Sequence, residues 1–390
     1  MSDKNKKVVL ICDIGGTNAR FGLYHEQQKE LIEYDGKYKC ADFSSFEEVI
    51  EQYFHDSKIS QYPQFCLIGA AGDIDETEGK IISTNTPWIA DAQKLTQHFS
   101  AITHAELVND FILQGWALSE LQPNQYVAFF DSPDNADFTK GKIVVIGPGT
   151  GLGTCLIMPD KNSTQNIYTS EAGHNSVPEV TFENSDDEEL NQKVLKVIKS
   201  HYKKQGPVTE YFVSGTGISN IYHAIKDGEI PEQRISAEDI VKLAEQKDKT
   251  ALKTLDFFSA YLGAHAGTMI ATTKASTIFL SGGVMTNNFV QNYLQTTPYF
   301  KDNFIRRSGI TEHMKKVKIY ASKDENMSSL GAVAYAKKML QTAETSKEEQ
   351  DILNLLCSLQ AFVKNYCPQA KEPLQCVTNA IKKYQQQSQR

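Results

Sequence analysis

"ICDIGGTNARFGLY", residues 11–24, decides how this chain is read. An apolar run ends in Asp13, turns through Gly15, Gly16, Thr17 and Asn18, and then resumes. Two short apolar runs around a glycine turn predict strand, turn, strand. Glycines at such a turn expose backbone N–H groups to an anion, since no Cβ holds it away. Working outward, "KIVVIGPGTGLGTCLIM" (142–158) repeats the design with Gly149, Thr150 and Gly151 at its centre. A third version, "ASTIFLSGGV" (275–284), ends in Gly282 and Gly283. "QFCLIGAAG" (64–72) and "AELVNDF" (105–111) predict two more strands, the latter ending in the polar pair Asn109-Asp110.

Helical periodicity fills the intervals. In 251–270, Leu255, Phe258 and Leu262 share one face, while Ala260, Gly263, Ala264 and Gly267 form a small-residue face suited to close packing. Strands alternating with helices predict an α/β protein, and the repeated unit predicts two related lobes across a cleft. At 390 residues the chain exceeds what one core usually supports. The expected division is a small lobe over 1–120, a large lobe over 121–340 and a helical C-terminal extension over 341–390. In the extension, Ser346 and Glu349 have the spacing of a capping box ahead of a helix over 346–366, with a second helix over 373–384.

Net charge is −8 and the isoelectric point about 5.7, which argues against broad nucleic-acid or anionic-membrane binding. Small phosphorylated ligands stay open, because backbone amides can hold them. The seven cysteines (12, 40, 66, 155, 357, 367 and 376) show no CxxC spacing, so neither a zinc site nor a disulfide framework is expected. A charged start without a secretory core and the lack of any membrane-length apolar stretch predict a cytoplasmic protein.

Several residues could carry chemistry, each with a plainer alternative. The two glycine turns lack the lysine of a Walker A motif, and 147–153 does not give GxGxxG in register. Asp13 could hold Mg²⁺ through water near a nucleotide phosphate, or simply cap its turn. Asp110 could accept a proton from a hydroxyl while Asn109 orients the substrate, or the pair could mark the start of a loop. Glu171 and His174 in "SEAGHNSVPE" could belong to a metal site, although no third ligand is evident. With Glu210, just before "YFVSGTG", they could instead bind the hydroxyls of a sugar.

Taken together, "DIGGTNARFGLY", "LVNDF", "GPGTGLGTCLI", "EAGHNSVP", "TEYFVSGTGISNIYHAI" and "FLSGGVMTNNF" resemble, in order, the signatures of the bacterial-type ATP-dependent glucokinases. These form part of the hexokinase branch of the actin-like ATPase superfamily, whose fold is two-lobed and ribonuclease H-like. The resemblance spans roughly residues 6–340. It implies that Asp13 holds Mg²⁺ through water and that Gly15, Gly16, Thr17 and Asn18 form the first phosphate loop. Gly149, Thr150 and Gly151 would form the second, with Gly282 and Gly283 at the adenosine. Asp110 would take the proton from the sugar's O6, and Asn109, Glu171, His174 and Glu210 would bind its other hydroxyls. "STNTPW" (83–88) resembles the family's TNxxW segment near the sugar. The implied partners are D-glucose and ATP with Mg²⁺, and a homodimer is expected.

Two departures accompany the resemblance. The cysteine-rich zinc motif of the related repressor/kinase/ORF (ROK) sugar kinases is missing, and the tail after about residue 340 has no counterpart in the compact members. A kinase for fructose, mannose or glucosamine is the nearest alternative; a sugar-binding regulator without turnover and a sugar-independent ATPase are others. Glu171, His174 and Glu210 together favour glucose.

Overall fold

The computed structural model describes residues 7–15, 17–26, 35–59, 62–75, 79–82, 86–159, 165–204, 206–324, 326–366 and 377–382. The first stretch builds β1 (Val8–Ile14), β2 (Asn18–His25) and β3 (Gly36–Lys39), then α1 (Phe46–Asp56) and β4 (Phe65–Ala70). Short strands β5 (Asp73–Asp75), β6 (Lys80–Ile82) and β7 (Ala90–Asp91) form a small sheet of their own. Next come α2 (Ala92–His98), β8 (His104–Asn109) and α3 (Asp110–Ala117). The main sheet of this half has the order β3-β2-β1-β4-β8. β1 pairs antiparallel with β2 and parallel with β4, which in turn pairs parallel with β8. That explains why "VVLICDI" is apolar almost throughout: a strand flanked on both sides and covered on both faces has little use for alternation.

The second half repeats the plan. After β9 (Tyr126–Phe129), a meander of β10 (Ile143–Pro148), β11 (Leu152–Pro159) and β12 (Gln165–Ser170) is followed by β13 (Thr277–Leu280) and β14 (Lys318–Ser322). The order is β12-β11-β10-β13-β14, with β9 added antiparallel at the edge. In each half, then, three antiparallel strands run 3-2-1 and two parallel strands complete the row, which is the duplicated ribonuclease H-like arrangement of an actin-like ATPase. The third glycine segment is continued differently from the first two. After Gly282-Gly283 no strand returns, and the chain enters α8 (Asn288–Thr296), because β13 is a crossover strand with parallel neighbours on both sides.

Between β12 and β13 lie α4 (Ser185–His201), α5 (Gly215–Lys226), α6 (Ala237–Glu245) and α7 (Lys249–Thr273). The small-residue face of α7 does what its composition suggests. α9 (Pro298–Ile305) lies so close that a Cβ on Gly263 would sit 2.2 Å from the Phe300 carbonyl oxygen, and one on Gly267 2.7 Å from that of Phe304. After the four-residue α10 (Thr311–Met314) and β14, α11 runs unbroken from Met327 to Tyr366. Ser346 therefore does not cap a helix start. A capping residue needs non-helical backbone, and no glycine or proline between Ala332 and Ser346 interrupts the helix formers there. Of the second tail helix, 377–382 is helical, and the rest of 373–384 lies outside the described residues.

The chain divides into two compact units, 8–334 and a second comprising 1–7 with 335–390. Within the first, α3 is the central connector. A Cβ on Gly69 of β4 would lie 2.5 Å from the Leu113 side chain, and one on Gly331 of α11 1.6 Å from the Leu113 carbonyl oxygen. On the other side of α3, Gln114 Oε1 accepts a buried hydrogen bond from Ser281 Oγ at 2.7 Å. Among the described residues no helix is long and apolar enough to cross a membrane.

Candidate active site

Ile14, Ala70 and Asn109 stand in register at the carboxyl ends of β1, β4 and β8. Ligands of α/β sheets gather at this end. The first glycine turn leaves β1 here, and Gly15 N–H closes it on the Asn18 carbonyl at 2.9 Å; Gly16 lies outside the described residues. Thr17 at its tip is exposed and Asn18 half-buried. The turn is braced from behind. Cys40 N–H donates to the Thr17 carbonyl at 2.9 Å, and the Cys40 thiol reaches the Gly15 carbonyl at 3.6 Å. Trp88 Nε1–H donates to the Cys40 carbonyl at 3.0 Å while its ring stacks on Phe46. Trp88 of the TNxxW segment is thus a buried prop for the turn; Ser83, Thr84 and Asn85 lie outside the described residues.

Asp13 sits across from Arg20 on β2, whose Nη1 donates to Asp13 Oδ2 at 3.2 Å. Burial pushes the Asp13 carboxyl above its ordinary range, and Arg20 opposes the shift. Asp110 opens α3. Asn109 caps that helix, accepting the Phe111 N–H on Oδ1 at 2.9 Å, and donates from Nδ2 to the Gly72 carbonyl at 3.3 Å. A short polar residue at the end of a strand and the start of a helix does this well. Burial pushes the Asp110 carboxyl up to about 6, reinforced by repulsion from Asp13 and, more weakly, Glu171, while the Phe111 and Asp110 N–H groups pull it down. A base poised near neutrality is suited to proton transfer at physiological pH.

The second turn is built against a different floor. Gly149 N–H bonds the Gly151 carbonyl at 2.9 Å. From the start of α5, Gly215 N–H donates to the Gly149 carbonyl at 2.7 Å and Thr216 Oγ1 to the Thr150 carbonyl at 2.9 Å. Glu210 Oε2 accepts the Leu152 N–H at 2.8 Å. Gly147 and Gly153 face each other across β10 and β11, and the Phe111 ring lies over both: a Cβ would meet it at 2.5 and 1.8 Å. The residue after Asp110 is thereby wedged into the base of the second turn. Gly282, at φ +82°, packs on the Pro148 carbonyl, so the third glycine pair abuts the second turn. Among the described residues nothing lies within 4 Å of a Cβ on Gly149 or Gly283, so packing does not demand glycine at either.

Glu171 precedes the short helical turn Ala172–His174, and His174 ends it. His174 Nδ1 lies 3.2 Å from Glu171 Oε2, and both side chains are exposed, at 61% and 77%. A cavity of about 230 Å³ brings Asn109 and Gly72 of the first half together with Thr169, Ser170 and Glu171 of the second. Asp110, His174 and Glu210 do not line it, and Glu210 is turned onto the second loop. Sequence reading missed Arg20, Phe111 and Thr216. Counting residues outward from the hairpin turn would have placed Arg20 opposite Asp13; nothing local marks Phe111 or Thr216.

A family model described as "Glucokinase" matches residues 10–339. A glucokinase of Stenotrophomonas maltophilia strain K279a is 30% identical over 342 residues, covering 85% of this chain and 96% of that protein. Among solved structures, a glucokinase from an Antarctic psychrotroph shares 27% identity and a TM-score of 0.67 over 84% of this chain and 98% of that one. A glucokinase of Balamuthia mandrillaris in complex with glucose gives a TM-score of 0.70 at 18% identity, over 86% and 94%. A ROK family glucokinase from Streptomyces griseus, in complex with glucose and AMPPNP, gives 0.54 at 17% identity, over 86% and 100%.

Proposed function

The chain belongs to the glucokinase family, and from that premise we propose that it transfers the γ-phosphoryl group of ATP to O6 of D-glucose with Asp110 as general base. The observation that carries this reading is the setting of Asp110: the first residue of α3, its carboxyl raised to about 6 chiefly by desolvation and further by the charge of Asp13. Phosphoryl transfer needs positioned groups and neutralised charge more than covalent help from the protein. Asp110 would remove the O6 proton as the oxygen attacks. Asn109, pinned by α3 and Gly72, would hold a neighbouring hydroxyl, and Glu171, His174 and Glu210 would take others.

On the nucleotide side, the amides around Gly15, Gly16, Thr17 and Asn18 would face the phosphates, and those of Gly149, Thr150 and Gly151 would meet them from the second half. Gly282 and Gly283 would border the adenosine. Asp13 fits a Mg²⁺ ion bridged by water, since Mg²⁺ keeps most of its waters and needs only one or two carboxylates besides the phosphates. When bound, the ion would neutralise developing phosphate charge.

The resemblance also supports the small lobe over 1–120, the large lobe over 121–340 and a homodimer; the mass in solution of the full chain and of a chain ending at 340 would test the assembly. The function itself is tested by glucose 6-phosphate formation with MgATP, beside the Asp110→Asn variant and with fructose, mannose and glucosamine in parallel. Turnover on glucose that vanishes in the variant while glucose still binds is the expected result. Turnover on another sugar alone would move the substrate, and sugar binding without any turnover would refute the kinase reading.

A further inference from the structure

We propose that Glu210 is a positioning residue for the second glycine turn, tying it to the sugar side of the site so that nucleotide and sugar bind cooperatively. This rests on the kinase reading above, in which Glu210 meets a sugar hydroxyl. The geometry gives the carboxylate a second task. Its Oε2 holds the Leu152 N–H at 2.8 Å, and a Cβ on Gly151 would lie 2.5 Å from the same atom. The carboxylate is laid flat against the turn, and residue 151 is free of a side chain at the one place where the acid needs the room.

The backbone beneath Glu210 is fixed as well. Ser214 Oγ donates to the Glu210 carbonyl at 2.7 Å and accepts the Gly217 N–H at 2.9 Å, which locks the short helical turn Thr209–Tyr211 to the cap of α5. Thr209 donates from N and Oγ1 to the Asn175 carbonyl and from Oγ1 to that of Ser176, so this segment moves with the one carrying Glu171 and His174. Gly173 of that segment packs on the far side of the same residue: a Cβ there would sit 2.4 Å from the Leu152 carbonyl oxygen. Leu152 is thus held at its N–H by Glu210 and hemmed at its C=O by the Glu171–His174 segment. A carboxylate has lone pairs enough to keep the Leu152 N–H on one oxygen while the other accepts a sugar hydroxyl. A sugar that orders Glu210 therefore orders the turn, and linkage requires the nucleotide to favour the sugar by the same factor.

Calorimetric titration of MgAMPPNP, with and without glucose, separates this from a purely sugar-binding role. In the wild type, glucose should tighten nucleotide binding about fivefold or more. Glu210→Ala should weaken nucleotide binding several-fold even with no sugar present and bring the coupling factor to about one. Glu210→Gln, whose amide oxygen can still accept the Leu152 N–H, should retain sugar-free nucleotide affinity within about twofold while losing glucose affinity. If Glu210→Ala does not fold, Glu210→Asp, one methylene too short to reach Leu152, should show the same sugar-free loss. Unchanged sugar-free nucleotide affinity in the Ala or Asp variant, or equal loss in the Gln variant, would overturn the proposal while leaving the kinase reading itself standing. A wild type that binds no MgAMPPNP would overturn the kinase reading itself.

Discussion

Asp110 serves two ends that pull against each other. As a base it must be ionised, so kcat/KM for sugar phosphorylation should fall about tenfold per pH unit below its value of about 6, and stay level above it. As a half-buried, desolvated carboxylate repelled by Asp13 it is a liability to the fold. Its pKa is raised from the ordinary 3.8, so the ionised form costs stability above about pH 6, and the cost disappears once the group is protonated in both states below about 3.8. Asp110→Asn should thus reduce turnover by a factor of about 10²–10⁴ while stabilising the protein by about 1–2 kcal/mol at pH 7.5, with no gain at pH 3.5. Paired pH–rate and thermal-denaturation series check both signs. The glycines separate in the same way. Gly153→Ala drives a methyl into the Phe111 ring and should cost about 1–3 kcal/mol, whereas Gly149→Ala meets nothing and should leave stability within about 0.5 kcal/mol. On the phosphate-loop reading, Gly149→Ala would instead raise KM for ATP, which steady-state kinetics would show. At this scale Asp13 and the Asn109-Asp110 pair were legible, since an acid where a strand ends stands out locally. Arg20 and Phe111 were not, because their partners are set by strand register and by the packing of α3.

Among the elements, α7 was the easiest to read and α11 the hardest. A stripe of glycine and alanine on an otherwise apolar helix predicts a close neighbour, and α9 supplies one. Gly263→Ala should cost about 1–3 kcal/mol, because the obstacle is the Phe300 backbone, which cannot swing aside as a side chain can; chemical denaturation would show a lower midpoint at unchanged slope. The capping-box spacing at Ser346 misled because its criterion is local. The same residues that start a helix from a loop are tolerated within one already formed, and α11 enters that stretch from Met327. The Gly282-Gly283 segment left its continuation open for a different reason. Composition marks a turn but not the element after it, and only the parallel neighbours of β13 make that element a helix.

For the whole molecule, the repeated strand-turn-strand motif pointed to the duplicated architecture, and the two sheets carry the same strand order in register with that expectation. The cavity that joins Asn109 to Glu171 draws one wall from each half, while Glu171 and His174 are left largely in solvent. Kinases of this chemistry must exclude water once the sugar is bound. Glucose should therefore contract the protein, seen as a smaller radius of gyration in small-angle scattering, and at one hundred times its Kd should stabilise it by about 2.7 kcal/mol. Scattering curves that superimpose with and without saturating glucose would rule the contraction out.

The seat of Phe111 between Gly147 and Gly153 also bears on descent. Three positions on three separate elements share one small volume, so none can drift alone. A lineage that enlarges either glycine must first shrink the ring, and one that loses the ring opens a void between the helix of the proposed base and the second turn. Across descendants of this chain, residues 111, 147 and 153 should be inherited as one unit.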